Sequence, residues 1–285
     1  MLKNFLQPYN NYMDIKIMKK YVFYYDETNN YRKVRITEKG SNDFKVMFDN
    51  STLGGICFEK SKKRYGSPKI AKVLNSQGIK VSQKMVARGM KKLGLRSIIV
   101  KKFNHSGSKK VDDKNKENLL AQDFKATKPS EKWGGDITYI YTKETGWTYL
   151  AIVMDLFDLK IIGGPYGINI TAQLVIDAFE KAQKGRKIET GLIFHSDLGS
   201  QYTSNEYENF LLEKNVKHSY SKKGYPYDNA SMESFNAILK KEEVNVNTYE
   251  TFNEARLAIF EFIESWYNNT RIHSSLDYKT PNQKL

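Results

Sequence analysis

At 285 residues, with 40% hydrophobic and 13% aromatic residues, the chain is long enough for one large domain or two modest ones around packed cores. Its longest apolar stretches, such as residues 149–154, fall far short of the ~20 residues that span a bilayer, and a single cysteine, Cys57, excludes an intrachain disulfide and a cysteine zinc cluster. The net charge is +14, and residues 56–128 alone hold 20 Lys and Arg against 5 Asp and Glu, so one basic stretch carries the whole excess and a polyanionic partner is expected for it.

The opening MLKNFLQPYNNYMDIK lacks the continuous apolar segment of a secretory leader, so a cytoplasmic protein is expected. Residues 1–55 carry short aromatic and β-branched runs broken by Asn, Asp and Gly, which predicts two or three short strands or irregular structure in an N-terminal extension of unknown role. Residues 56–95 change character. Ile70, Val73 and Leu74 recur at helical spacing, Gly78 punctuates, and Met85, Val86, Met90 and Leu93 line one face of a second helix for which Ser82 is the expected N-cap. The pattern is a small basic helix-turn-helix-like module, with Lys84, Arg88, Lys91 and Lys92 on the polar side of its second helix as DNA-contact candidates. Residues 96–130, poor in apolar side chains and rich in Ser, Gly, Asn and charge, read as a basic linker whose Lys101 and Lys102 track a phosphate backbone.

From residue 131 to 285 the pattern is that of an α/β domain. Three strands are predicted in GGDITYIYTK, WTYLAIVMDLF and KIIGGPYGI, followed by a helix over 171–184, a strand over 191–195, a helix over 206–214, a short strand over 216–219, and helices near 229–241 and 249–268. Asp136 then lies on the first strand, Asp197 just beyond the fourth, and Glu233 on a later helix, so strand ends and a helix can converge although the residues are far apart in sequence. Taken singly, each carboxylate has an ordinary reading: a strand-edge acid, a turn-forming aspartate, a solvent-facing helical glutamate. Taken together they suit phosphodiester chemistry, because in-line displacement uses two divalent cations about 4 Å apart, and Mg²⁺ prefers hard oxygen ligands. Lys240 falls two helical turns after Glu233, on nearly the same face, where it could meet DNA phosphate. His195 is a site-supporting candidate, either positioning a phosphate or water or serving as a structural histidine; the four histidines show no metal-ligand spacing. Asp228 looks like an N-cap for the Glu233 helix.

The words around these residues carry a resemblance. Trp133 with Asp136-Ile-Thr, His195-Ser-Asp197 with Gly199-Ser-Gln201-Tyr, Asp228-Asn-Ala with Glu233-Ser-Phe and Lys240, and Tyr267-Asn with Arg271, His273 and Pro281 follow in order, with 35 residues between Asp197 and Glu233. This resembles the catalytic subunit of DDE-type insertion-sequence transposases of the IS3-like group. The resemblance implies an RNase H-like integrase catalytic core, a mixed sheet flanked by helices behind the small helical module. It implies Asp136, Asp197 and Glu233 as catalytic residues and ligands of two Mg²⁺ ions, with Mn²⁺ able to substitute, and Arg271 and His273 in a segment that contacts DNA or completes the fold. It further implies cleavage and strand transfer at element ends, a homo-oligomer on paired ends, fusion or complex with a partner-frame helix-turn-helix and leucine-zipper protein, no membrane, and a nucleoid-associated place in a bacterial cytoplasm. Leu198 departs from the family's usual Arg after the second Asp. A purely hydrolytic nuclease and a catalytically inactive DNA-binding relic or regulator stay open at this point.

Overall fold

The computed structural model describes residues 36–38, 44–46, 50–98, 116–188, 190–222 and 226–284. Lys101 and Lys102 lie outside the described residues, as does most of the expected N-terminal extension. No described helix is long and apolar enough to cross a membrane. The chain divides into two units, residues 1–100 and 101–285.

In the first unit, β1 (Ile36–Glu38) pairs antiparallel with β2 (Phe44–Val46), and three helices follow: α1 (Asn50–Lys60), α2 (Ser67–Ser76) and α3 (Gln83–Lys92). The expected helix-turn-helix is α2 and α3, each packed on the other and on α1 through buried Phe58, Ile70, Leu74, Val86 and Met90. Its turn is held by Asn75, whose side chain donates to the Val81 carbonyl at 3.0 Å and accepts from the Val81 amide at 3.1 Å. Gly78, at φ 82°, lets the chain reverse without Cβ strain. Ser82 caps α3 as expected, its hydroxyl accepting from the Met85 amide at 3.2 Å. Met85 itself, expected on the apolar face, is exposed.

The second unit is built on one mixed sheet. β3 (Lys132–Thr142), β4 (Gly146–Asp155) and β5 (Lys160–Gly163) are antiparallel neighbours, the short β6 (Tyr166–Gly167) pairs with β4, and β7 (Ile193–Ser196) and β8 (Lys217–Tyr220) add in parallel on the far side of β3, giving the order β5-β4-β3-β7-β8. The parallel strands need crossovers. These are α4 (Ala172–Gly185), capped by Thr171, and α5 (Asn205–Glu213), capped by Ser204. One face of the sheet buries Trp133, Phe194 and Val153 against Phe179, Tyr207 and Leu211 of these two helices. The other face receives α6 (Ala230–Glu242): a Cβ at Gly134 would stand 3.1 Å from Met232 Sδ. The predicted third strand is two, because the pairing register slips between Val153 and Met154 and α4 presses close there; a Cβ on Gly163 would lie 2.1 Å from the Ala178 carbonyl oxygen. The last predicted helix is α7 (Phe252–Glu261), running on as a π-helical turn over Phe262–Tyr267 that buries Trp266 and Tyr267.

Two polar clusters lock this unit. Arg186, just past α4, pairs with both Asp155 and Asp158, which are fully buried. Glu242, at the end of α6, accepts from Trp266 Nε1 at 2.8 Å, Arg271 Nε at 3.0 Å and Arg271 Nη2 at 2.8 Å. The stretch leading into β3 is packed rather than extended: the Tyr220 amide on β8 donates to the Glu117 carbonyl, Leu120 is buried, and Lys132 Nζ donates to the carbonyls of Asp123 and Lys125 at 2.8 Å each.

Candidate active site

The sheet register decides which carboxylates meet. β3 and β7 run parallel with Gly134 opposite His195, so Asp136, within β3, comes level with Asp197, just beyond the end of β7. Gly135 makes this closeness possible, since a Cβ there would lie 2.3 Å from Phe194 Cζ. Side chains alternate along β3, which sends Asp136 to the face covered by α6. There Asn236 Nδ2 donates to Asp136 Oδ2 at 2.7 Å, while the Ile137 amide donates to Asp136 Oδ1 at 2.8 Å. Asn236 is three residues after Glu233, one helical turn on, so the same stripe of α6 that touches Asp136 carries Glu233.

Electrostatics records the convergence. Burial, then the charge of Asp197, and to a lesser degree that of Glu233, push the Asp136 carboxyl up to about 7 against the hydrogen bonds from Ile137 and Asn236. Asp197 is also raised, by desolvation, against the bond it accepts from the Gly199 amide at 3.0 Å. A Cβ at Gly199 would approach Asp197 Oδ1 to 2.9 Å, so a side chain there would push the carboxylate from this position. As they stand, no three His, Cys, Asp or Glu side chains among the described residues are close enough together to ligate one ion. The donor chemistry fits a hard divalent cation all the same: the groups are carboxylate oxygens, and the charged form of half-buried Asp136 is disfavoured by desolvation and by two like charges, which an added positive charge relieves.

His195 is 1% exposed with both ring nitrogens in use, Nδ1 at 2.8 Å from Ser219 Oγ and Nε2 at 2.7 Å from the Asp228 carbonyl oxygen. Burial disfavours its charged form, and the structural-histidine reading is the one the geometry supports. Asp228 does not cap α6; the residue at that cap is Asn229, and the Asp228 carboxylate accepts instead from Asn118 Nδ2, Gln122 Nε2 and the Lys222 amide. Lys240 is half-buried on α6, and Leu198 is half-buried beside Asp197. On α3, Lys84, Arg88, Lys91 and Lys92 are all exposed, as a phosphate-contacting face requires. Arg271, expected either to contact DNA or to complete the fold, is turned inward: it is 7% exposed and its guanidinium is engaged with buried Glu242. Asn236 is the site residue that sequence reasoning passed over, and its signal was available in the i, i+3 spacing from Glu233.

Residues 126–226 and 214–281 each match an integrase core domain family, and residues 56–103 match an HTH-like domain family. The chain is 44% identical over 228 residues to the transposase for insertion sequence element IS904 of Lactococcus lactis subsp. lactis, covering 79% of this chain and 88% of the relative. It is 38% identical over 252 residues to transposase InsF for insertion sequence IS3A of Escherichia coli K12, covering 88% of this chain and 86% of the relative. Among solved structures, the HTLV-2 integrase catalytic core domain in complex with magnesium, in its trimeric form, aligns with a TM-score of 0.42 at 20% identity over 55% of this chain and 97% of that one. A simian T-cell lymphotropic virus intasome in complex with a PP2A regulatory subunit aligns with a TM-score of 0.44 at 15% identity over 81% of this chain and 73% of that one.

Proposed function

The chain belongs to the IS3 family of insertion-sequence transposases, and on that footing we propose that Asp136, Asp197 and Glu233 are the carboxylates of its reaction centre. The protein is a DDE polynucleotidyl transferase of DNA transposition. The observation that carries the residue assignment is the geometry: the β3–β7 register sets Asp136 level with Asp197, and Asn236 bonds to Asp136 from the stripe of α6 that carries Glu233.

Two displacements at phosphorus use this centre. In the first, a water oxygen attacks the phosphodiester at an element end, the P–O3′ bond breaks, and a free 3′-OH and a 5′-phosphate remain. In the second, that 3′-OH attacks a target phosphodiester, forming a new P–O3′ bond as the target strand's own 3′ oxygen leaves. Asp136, Asp197 and Glu233 would hold a pair of Mg²⁺ or Mn²⁺ ions, which when bound would lend acidity at the attacking oxygen and stabilise charge on the leaving one. The chain's own contribution is placement: Ile137 and Asn236 orient Asp136, Gly199 orients Asp197, and α6 presents Glu233 with Lys240 positioned for a phosphate.

The domain plan that follows is an extension over 1–55, a DNA-gripping module over 56–95, a basic connection over 96–130, and the catalytic core over 131–285. Lys84, Arg88, Lys91 and Lys92 meet the backbone of element DNA, with Lys101 and Lys102 in the connection. Work on paired ends requires more than one copy, and recognition of the end sequence is completed by the partner-frame helix-turn-helix and leucine-zipper protein, in the nucleoid of a bacterial cytoplasm.

The test is cleavage and joining of labelled element-end DNA by purified protein with Mg²⁺ or Mn²⁺, with and without the fused partner segment, comparing wild type with Glu233→Gln. Nicked and joined products that vanish in the variant support the assignment. Products that persist in Glu233→Gln, or binding with no metal-dependent product from wild type in either sample, overturn it.

A further inference from the structure

Asp228 stands outside the carboxylate set, yet its two ends tie together the parts that place Asp197 and Glu233. Its side chain is 3% exposed and accepts three hydrogen bonds: from Gln122 Nε2 at 2.7 Å to Oδ1, and from Asn118 Nδ2 at 3.0 Å and the Lys222 amide at 3.1 Å to Oδ2. Its carbonyl oxygen meets His195 Nε2 at 2.7 Å. It sits in the 3₁₀ turn Pro226–Asn229 that opens directly into α6, five residues before Glu233.

The polarity of this ring of bonds can be worked out. Ser219 Oγ accepts from the Leu119 amide at 2.9 Å and the Leu120 amide at 3.2 Å, which uses both lone pairs. Its proton therefore points to His195 Nδ1, 2.8 Å away, and the histidine hydrogen is on Nε2, where it donates to the Asp228 carbonyl. Segment 117–124 thus holds β8 through Ser219, Ser219 holds His195, His195 holds the turn before α6, and the carboxylate of that turn reaches back to the segment. Phe124 adds an edge-on contact to the His195 ring at 6.3 Å.

A second observation shows that the segment is shaped for this. Ala121 and Gln122 both have left-handed backbones, φ 46° and 66°, although neither is glycine. Each such residue costs on the order of 1 kcal/mol, and the turn they make carries the Gln122 side chain, on an otherwise exposed residue, back to Asp228.

We propose that Asp228 is a positioning residue of the reaction: through Asn118 and Gln122 it clamps the segment entering the catalytic unit, and through His195 it fixes the first turn of α6, so that Glu233 is aligned with Asp197 while that segment is docked. The proposal rests on Glu233 and Asp197 being reaction-centre carboxylates. Docking of segment 117–124 then sets how readily the centre takes up metal.

All three partners of the carboxylate are donors, which dictates a rescue. Gln122→Glu alone puts two carboxylates face to face, whereas Asp228→Asn alone is accommodated by turning the Gln122 amide over, so that its oxygen accepts from the new Nδ2. Together, Asp228→Asn with Gln122→Glu restores every bond with the direction of one reversed. The experiment uses full-length protein, titrating Mn²⁺ in the element-end cleavage assay, with amide hydrogen exchange of residues 229–236 on metal-free protein and Glu233→Gln alongside. Gln122→Glu should raise the Mn²⁺ concentration for half-maximal cleavage by about tenfold, speed exchange in the first turn of α6, and leave DNA binding unchanged; Asp228→Asn should stay near wild type, and the double variant should recover both readouts. A Gln122→Glu variant that matches wild type in Mn²⁺ requirement and exchange overturns the proposal, as does a double variant no better than Gln122→Glu. If Glu233→Gln cleaves like wild type, the reading of the reaction centre fails instead, and the exchange measurement still decides whether the clamp exists.

Discussion

Replacing Asp136 by Asn should make the metal-free protein more stable at neutral and alkaline pH. Asp136 holds its proton up to about pH 7 where an unhindered aspartate would release it near 3.8, first because it is desolvated and then because Asp197 and Glu233 oppose its charge. Each tenfold change in proton affinity is worth ~1.4 kcal/mol, so the ionised form costs up to about 4 kcal/mol, and about half of that after allowance for a half-buried group. The sign follows from linkage. The folded state binds this proton more tightly than the unfolded one, so the cost is absent below about pH 4, grows as pH rises, and is complete above about pH 7. Asn introduces no clash, because Asn236 Oδ1 is buried without a hydrogen-bond partner and a flip of the Asn236 amide would present that oxygen to the new Nδ2. Thermal unfolding at pH 8 without divalent metal should therefore show Asp136→Asn above wild type by about 2 kcal/mol, or roughly 4–8 °C for a unit of this length. The gap should close at pH 4, and millimolar Mg²⁺ at pH 8 should raise wild type but not the variant. A variant no more stable than wild type at pH 8, or a gap of the same size at pH 4, would refute the reasoning.

Gly135→Ala should cost about 1–3 kcal/mol or more and abolish cleavage, because its Cβ would fall 2.3 Å from a Phe194 ring wedged among Phe179, Tyr202, Tyr207 and His218; thermal melting and the cleavage assay check both effects. Arg271→Ala should cost about 3–5 kcal/mol by stranding the buried Glu242, while Arg271→Met with Glu242→Gln should recover more than half, as urea titration would show; equal loss in both would mean that the charge pair is not the source. Ser82→Ala should take about 1 kcal/mol from the helical module through the lost bond to the Met85 amide, visible as faster amide exchange at the start of α3.

Much of this architecture could be read from the sequence, because the informative residues act locally. The helices expected over 171–184 and 206–214 appear as α4 and α5, and the runs GGDITYIYTK and WTYLAIVMDLF appear as the central hairpin β3–β4. The carboxylates were legible through the words around them, which are themselves local: Gly135 for the tight strand approach, Gly199 for the turn at Asp197. What escaped depends on partners far along the chain. Arg271 looks like a surface cation until Glu242, 29 residues earlier, is seen to bury it. The segment around Leu120 looks like linker because its anchors are polar side chains 99 to 110 residues away, at Ser219 and Asp228. Helix α1 was hidden by Gly54 and Gly55, which are poor helix formers. Met85 shows the opposite error, an apolar residue on a helical stripe that the small module leaves exposed.

The bond from the Tyr220 amide to the Glu117 carbonyl has a practical consequence for anyone isolating the catalytic unit. β8 is the last strand of the sheet on that side, and an uncovered edge strand is a template for pairing with another molecule. A fragment begun at residue 131, where composition alone would place the start, removes residues 117–120 from that edge and invites aggregation. One begun at residue 116 keeps the edge covered and should stay in solution.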